Sequence, residues 1–185
     1  MQKITFITPT FAVTSAMQPG EFAAAAALGF RCIVSNLPDG EDATLASARE
    51  EAVAAWRNGL TFAHVPVSKL DPLAGDVVER MADILLRTDG PVLAHCRSGT
   101  RSAIVWAAAS ARSRPVECVL EATRQAGFDL DFLREDFEHQ KSRKHWVGTA
   151  PESLDCGAWR KSPRRPAFIA NRADLALLSA AAHAL

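Results

Sequence analysis

Pro91-Val-Leu-Ala-His-Cys-Arg-Ser-Gly-Thr-Arg-Ser102 is the stretch from which the rest of the chain is read. An apolar strand, Pro91 to Ala94, runs into His95 and Cys96, then a short polar turn, then the helix-like run that starts at Ser102. A cysteine at such a junction lies beneath backbone N–H groups that converge on one point. Those donors, the positive end of the helix dipole and Arg101 favour an anion beside the sulfur. The same field favours thiolate over thiol at Cys96. One loop therefore offers a nucleophile together with an oxyanion cradle. A plain core cysteine at a strand end would leave Ser98, Gly99 and Arg101 without a role.

Working outward, the segment before the loop alternates strands and helices. Ile4 to Ile7 and Phe11 to Val13 read as short strands split by Thr8-Pro9-Thr10. A helix follows from Pro19 and Glu21 through the alanines to a C-cap at Gly29. Arg31 to Ser35 is a buried strand that ends at the turn Asn36-Leu-Pro-Asp-Gly-Glu41. Residues 43–57 repeat apolar groups at Leu45, Ala48, Ala52 and Trp56, one face of a helix stopped by Asn58-Gly59. Thr61 to Val67 reads as another strand, and Asp71-Pro72 as the cap and first turn of the next helix. After the loop only helices are expected, over residues 102–112, 115–126 and 129–146. This order implies an α/β domain with a central, mostly parallel sheet of four to five strands, flanked by helices and covered by a helical cluster after the loop. The domain is placed at residues 1–146. Residues 147–185, rich in Pro, Gly and basic groups, read as a tail with a short helix from Arg172.

The 185 residues suffice for one ordinary domain with a real core. With 48% hydrophobic and 23% charged residues the composition is globular. Balanced charge, 21 basic against 21 acidic residues, gives no argument for a nucleic-acid partner or an anionic membrane surface. No apolar run approaches bilayer length, and the start, Met-Gln-Lys-Ile-Thr-Phe, is too short and polar for a signal peptide. Cys32, Cys96, Cys118 and Cys156 are widely spaced and fit neither a zinc site nor a disulfide framework, so reduced thiols and a cytoplasmic location are expected. Neither a metal nor a cofactor is called for; His64 and His139 have no second ligand at suitable spacing. Oligomeric state is not legible.

His95-Cys96 followed by Arg101 resembles the His-Cys-x5-Arg loop of cysteine-dependent phosphatases, but only four residues separate Cys96 from Arg101. That spacing, and the wording Cys-Arg-Ser-Gly-x-Arg-Ser, is similar to the loop of rhodanese-type sulfurtransferases. The element order, with helices alone after the loop, resembles the dual-specificity phosphatases instead. The combination resembles the phosphatase-like domain of bacterial beta-lactamase hydrolase-like proteins, often described as sulfur transferases. The resemblance runs from Ile4 to Gln140 and includes Ile-Thr-Pro-Thr-Phe-Ala-Val, the Pro-Asp-Gly-Glu turn at 38–41, His64-Val-Pro-Val, and the long motif from Gly90 to Ser102. The family pattern places Arg before the Pro-Asp-Gly turn; here that residue is Leu37, so one positive contact to an anionic substrate is absent.

The roles expected are these. Cys96 is the nucleophile. The backbone N–H groups from Arg97 to Arg101 form the cradle, and Gly99 supplies the left-handed backbone that turns them inward. Arg101 orients the loop or binds the donor's oxyanion, and Arg97 meets an anion at the mouth. Ser98, Thr100 and Ser102 hydrogen-bond within the loop, and His95 fixes its backbone. A contracted cradle suits a persulfide sulfur better than a whole phosphate. Phosphate esters also need a general acid. Asp71 is the candidate, but it sits closer to the cysteine than the acid of those phosphatases and has a ready job as a helix cap. These two points favour a sulfurtransferase that forms a persulfide on Cys96 from thiosulfate or a small persulfide and passes sulfur to a thiol or cyanide. Its partners would be a small anionic sulfur donor and a thiol acceptor. The alternative is a phosphatase working through a thiophosphoryl-cysteine intermediate; a third reading is a non-catalytic anion or persulfide sensor.

Overall fold

The computed structural model describes residues 3–142. The proposed domain boundary at 146/147, the basic tail, its short helix and Cys156 lie outside them. Five strands, β1 (Thr5–Thr8), β2 (Phe11–Thr14), β3 (Cys32–Ser35), β4 (Thr61–His64) and β5 (Val92–His95), form one sheet in the order β1-β2-β5-β3-β4. Only the β1–β2 pair is antiparallel; β5 pairs in parallel with β2 and β3, and β3 with β4. The mostly parallel five-stranded α/β sheet is the one expected from the sequence.

Alternation within four-residue strands decides which helices cover which face. Phe11 and Val13, Cys32 and Val34, Val92 and Ala94 point into one core with α3 (Gly75–Arg87), α4 (Thr100–Ala111), α5 (Val116–Gln125) and α6 (Arg134–Ser142). The intervening Ala12, Ile33 and Leu93 point into the other, with α1 (Phe22–Ala27) and α2 (Ala48–Arg57). Helix α4 is buried at every position from Ser102 to Ala111. Its small residues, Ala103, Ala107, Ala108 and Ala111, let it lie between sheet and helices. The ring of Trp106 stacks on Phe11 with centroids 5.5 Å apart. Among the described residues no strand follows β5, and no helix is long and apolar enough to cross a membrane.

Several boundaries differ from expectation for local reasons. Helix α2 starts at Ala48 rather than near 43, because Ser47 and Glu50 make a capping box there. The residues before it are held in turns of their own: Asp42 Oδ1 accepts from Thr44 N (3.0 Å), and Asp39 Oδ1 from Ala48 N (2.7 Å). Helix α3 starts at Gly75, so Asp71 is not its cap; Asp71 Oδ1 instead accepts from Leu73 N at 3.3 Å within the preceding loop. Strand β4 ends at His64, and α6 begins at Arg134 after a 3-10 turn over Asp131–Leu133. Cys32 and Cys96 are free thiols, as expected.

Leu93 is fully buried in the central strand and points between α1 and α2. Leu93→Ala is expected to cost about 2–5 kcal/mol of folding free energy, the range for a leucine cavity in a well-packed core. Urea denaturation of variant against wild type measures it.

Candidate active site

Parallel pairing puts the C-terminal ends of β3, β4 and β5 in one row: Ser35 is in register with both His64 and His95. The loops that leave those ends, residues 36–47, 65–74 and 96–99, therefore converge at one edge of the sheet, where α/β folds place their ligands. Asn36, fully buried, ties them together. Its N–H donates to His95 O (2.7 Å), its side-chain amide to Val65 O (2.8 Å), and its carbonyl accepts from Val67 N (3.1 Å).

Cys96 sits at the base of this edge, buried, and Gly99 N–H donates to its sulfur at 3.2 Å. Gly99 makes that possible with φ +89°, the left-handed conformation expected of it. It also packs tightly: a Cβ there would lie 3.3 Å from Thr14 O on β2. The first turn of α4 then delivers Arg101. Ser98 Oγ donates to Thr100 Oγ1 (3.3 Å), while Ser102 is buried with its hydroxyl unpartnered among the described residues. His95 is buried in β5 with Nε2 3.5 Å from Glu51 Oε1, a carboxylate that α2 brings behind the loop.

The two arginines of the loop are each held by a carboxylate from residues 41 and 42. Arg101 Nη1 donates to Glu41 Oε2 (2.8 Å) and Val67 O (2.8 Å), and Nη2 to Glu41 Oε1 (2.6 Å). A guanidinium has five N–H donors in a rigid fork. Among the described residues three are used, and the two that remain, on Nε and Nη2, are parallel along one edge. That edge matches two oxygens of a tetrahedral anion. Lys69 Nζ lies 3.5 Å from Glu41 Oε1. At the mouth, Arg97 Nη1 donates to Asp42 Oδ2 at 2.7 Å. Hydrogen bonds from Arg101 hold the Glu41 carboxyl below its ordinary range. Those from Thr44, reinforced by Arg97, hold Asp42 down to about 2.

The structure brings Cys96, Gly99, Arg101 and Arg97 together with Glu41, Asp42, Glu51 and Asn36, which the sequence reading did not name as site residues. Glu41 and Asp42 carried a usable signal: an acidic turn leaving a buried parallel strand next to the nucleophile's strand. Leu37 is buried, and its carbonyl bonds His64 Nε2 at 2.9 Å. The position therefore serves the packing of the turn and puts no charge at the site.

The family model for the phosphatase-like domain of beta-lactamase hydrolase-like proteins matches residues 3–113. This chain belongs to that family. A beta-lactamase hydrolase-like protein of Xylella fastidiosa is 33% identical over 130 residues, covering 69% of this chain and 30% of that protein. One from Agrobacterium fabrum is 30% identical over 125 residues, 64% of this chain and 28% of its own length. The chain thus spans less than a third of the curated relatives it matches. A crystal structure of a candidate phosphatase from Neisseria meningitidis superposes with a TM-score of 0.63 at 26% identity, covering 74% of this chain and 97% of that one. The structure of PTPMT1 does so at 0.56 and 17%, covering 76% and 98%, a likeness of fold.

These findings overturn the sulfurtransferase reading of this chain: the matched family is described as phosphatase-like and the Neisseria structure as that of a candidate phosphatase. The physical reason lies in how the cradle was judged. Counting four residues between Cys96 and Arg101 measures the backbone ring alone. The reach of the guanidinium is set by its side chain and by where Glu41 and Val67 hold it, and that leaves a fork free. The second argument also fails, since Asp71 is not occupied as a helix cap.

The Asp42 shift fixes a pH dependence. A carboxyl whose folded pKa is depressed binds fewer protons folded than unfolded, so it adds stability above its ordinary value of 3.8 and loses it as pH falls toward about 2. Asp42→Asn is expected to be less stable than wild type at pH 7. The difference should shrink between pH 4 and pH 2, as followed by thermal melts across that range.

Proposed function

We propose that this domain is a cysteine-dependent phosphomonoester hydrolase. The observation that carries the reading is a single loop with Cys96 at its base, under a backbone N–H, and Arg101 held so that one bidentate edge stays open. Membership of a phosphatase-like family supports it.

In the first step the Cys96 thiolate attacks phosphorus. An S–P bond forms, the P–O bond to the leaving group breaks, and the ester oxygen takes a proton. The N–H groups of residues 97–101 and the free edge of Arg101 bind the non-bridging oxygens, whose charge is spread over them in the transition state. Asp71 is the candidate proton donor. It lies on the loop four residues beyond Val67, whose carbonyl is bonded to Arg101, and its Oδ1 accepts from Leu73 N. In the second step water attacks the thiophosphoryl-cysteine, its proton passes to the Asp71 carboxylate, and the S–P bond breaks. Inorganic phosphate leaves and the thiolate is restored. Glu41 is a positioning residue, acting through Arg101.

Release of phosphate from p-nitrophenyl phosphate and phenyl phosphate tests this directly. Cys96→Ser should abolish turnover of both, and retained turnover in that variant overturns the assignment. Asp71→Asn should lose about 10²-fold or more in kcat on phenyl phosphate, the usual scale of general acid catalysis. The loss should be smaller on p-nitrophenyl phosphate, whose leaving group needs less protonation. An equal loss on both would remove Asp71 from the acid role.

A further inference from the structure

The mouth of the loop carries little net charge, although it is built from strong cations. Arg97, Arg101 and Lys69 are arranged around Glu41 and Asp42, each within ion-pair distance of one of those carboxylates. Three cations against these two carboxylates leave one positive charge over. The two arginine partnerships are not equivalent. Glu41 takes the end of the Arg101 fork and leaves a bidentate edge for one phosphoryl group. Asp42 takes Arg97, the more exposed cation at the rim, and is itself fixed from behind. Its Oδ1 accepts from both the N–H and hydroxyl of Thr44 at 3.0 and 2.6 Å, while Oδ2 meets Arg97. Because Thr44 orients it as well as Arg97, Asp42 is built to stay where it is. Its lowered pKa keeps it charged throughout the neutral range.

We infer that Asp42 makes the site select singly phosphorylated substrates and reject ligands with clustered phosphates. A second phosphate beside the reacting one would reach the rim. There it would meet the Asp42 carboxylate and an arginine already bonded to it, while the third cation, Lys69, lies 3.5 Å from Glu41. The structure also lacks a charge at Leu37, which is buried. The rim therefore offers no further counter-charge from that turn. The inference rests on the phosphomonoesterase reading for its meaning in catalysis, while the charge selection itself is a property of binding.

The test uses the full chain carrying Cys96→Ser, so that ligands bind without turnover. Calorimetry compares phenyl phosphate with inositol hexakisphosphate. In this protein phenyl phosphate should bind at least as well as the hexakisphosphate. Adding Asp42→Asn should shift the ratio about tenfold toward the hexakisphosphate at low salt, the scale of one charge at contact distance. The shift should fade as salt rises and vanish when Arg97→Ala is added, since it depends on the released guanidinium. Asp42→Glu should keep the ratio near the starting value. A preference for the hexakisphosphate with Asp42 in place overturns the inference, as does an unchanged ratio in a folded Asp42→Asn protein. If the ratio shifts as expected but wild type releases no phosphate from either aryl ester, the charge selection stands and the phosphatase reading fails.

Discussion

Asn36 holds the reactive edge of this fold together. It is the first residue beyond β3, and from there it bonds the end of β5 at His95, the segment after β4 at Val65, and through its carbonyl the N–H of Val67. Each bond is buried, so none competes with water, and an unmade partner would leave an uncompensated polar group. The consequence reaches the chemistry through one intermediate. Val67, fixed by Asn36, presents the carbonyl that takes one Nη1 hydrogen of Arg101. The strand that leads into Cys96 and the loop that holds Arg101 are thus registered against each other by one side chain and its backbone.

That arrangement gives a four-residue loop walls drawn from elsewhere in the chain. A backbone ring alone would have to close around its ligand. Here the ring supplies the base of the site, with Gly99 N–H on the sulfur, and the far wall is supplied by residues distant in sequence. Glu41 lies sixty residues before Arg101 and Val67 thirty-four, yet both end on one guanidinium. The cradle's size is a tertiary property, which a count along the chain cannot measure.

The limits of the sequence follow the same line. Strand alternation, glycine stops and the absence of a strand after Cys96 are local patterns, and they led to the right sheet and helix order. The Cys96–Arg101 loop was legible for the same reason, since strand, turn and helix start are contiguous. Helix starts at 48 and 75 were misplaced because a capping box at Ser47 and an Asx turn at Asp71 compete with apolar periodicity, and only geometry shows which wins. Glu51 was invisible as a site residue because an acidic side chain on a helix reads as solvated, and Glu41 and Asp42 were passed over although their turn follows a buried parallel strand. Parallel register makes them site residues, by bringing the β3 turn and helix α2 against the end of β5.

The buried His95–Glu51 contact shows how far that convergence extends. Both side chains are almost wholly out of water, with Glu51 Oε1 3.5 Å from His95 Nε2, a ring nitrogen without a hydrogen-bond partner among the described residues. Had α2 begun near residue 43, as periodicity suggests, Glu51 would sit in the middle of a longer helix rather than one turn from its capped start. There the capping box anchors the helix, and Glu51 N–H bonds Ser47 O. The acidic turn that restrains the arginines and the cap that seats Glu51 are adjacent parts of one segment, residues 36–51. This segment, as much as the cysteine loop itself, sets the charge around the reactive sulfur.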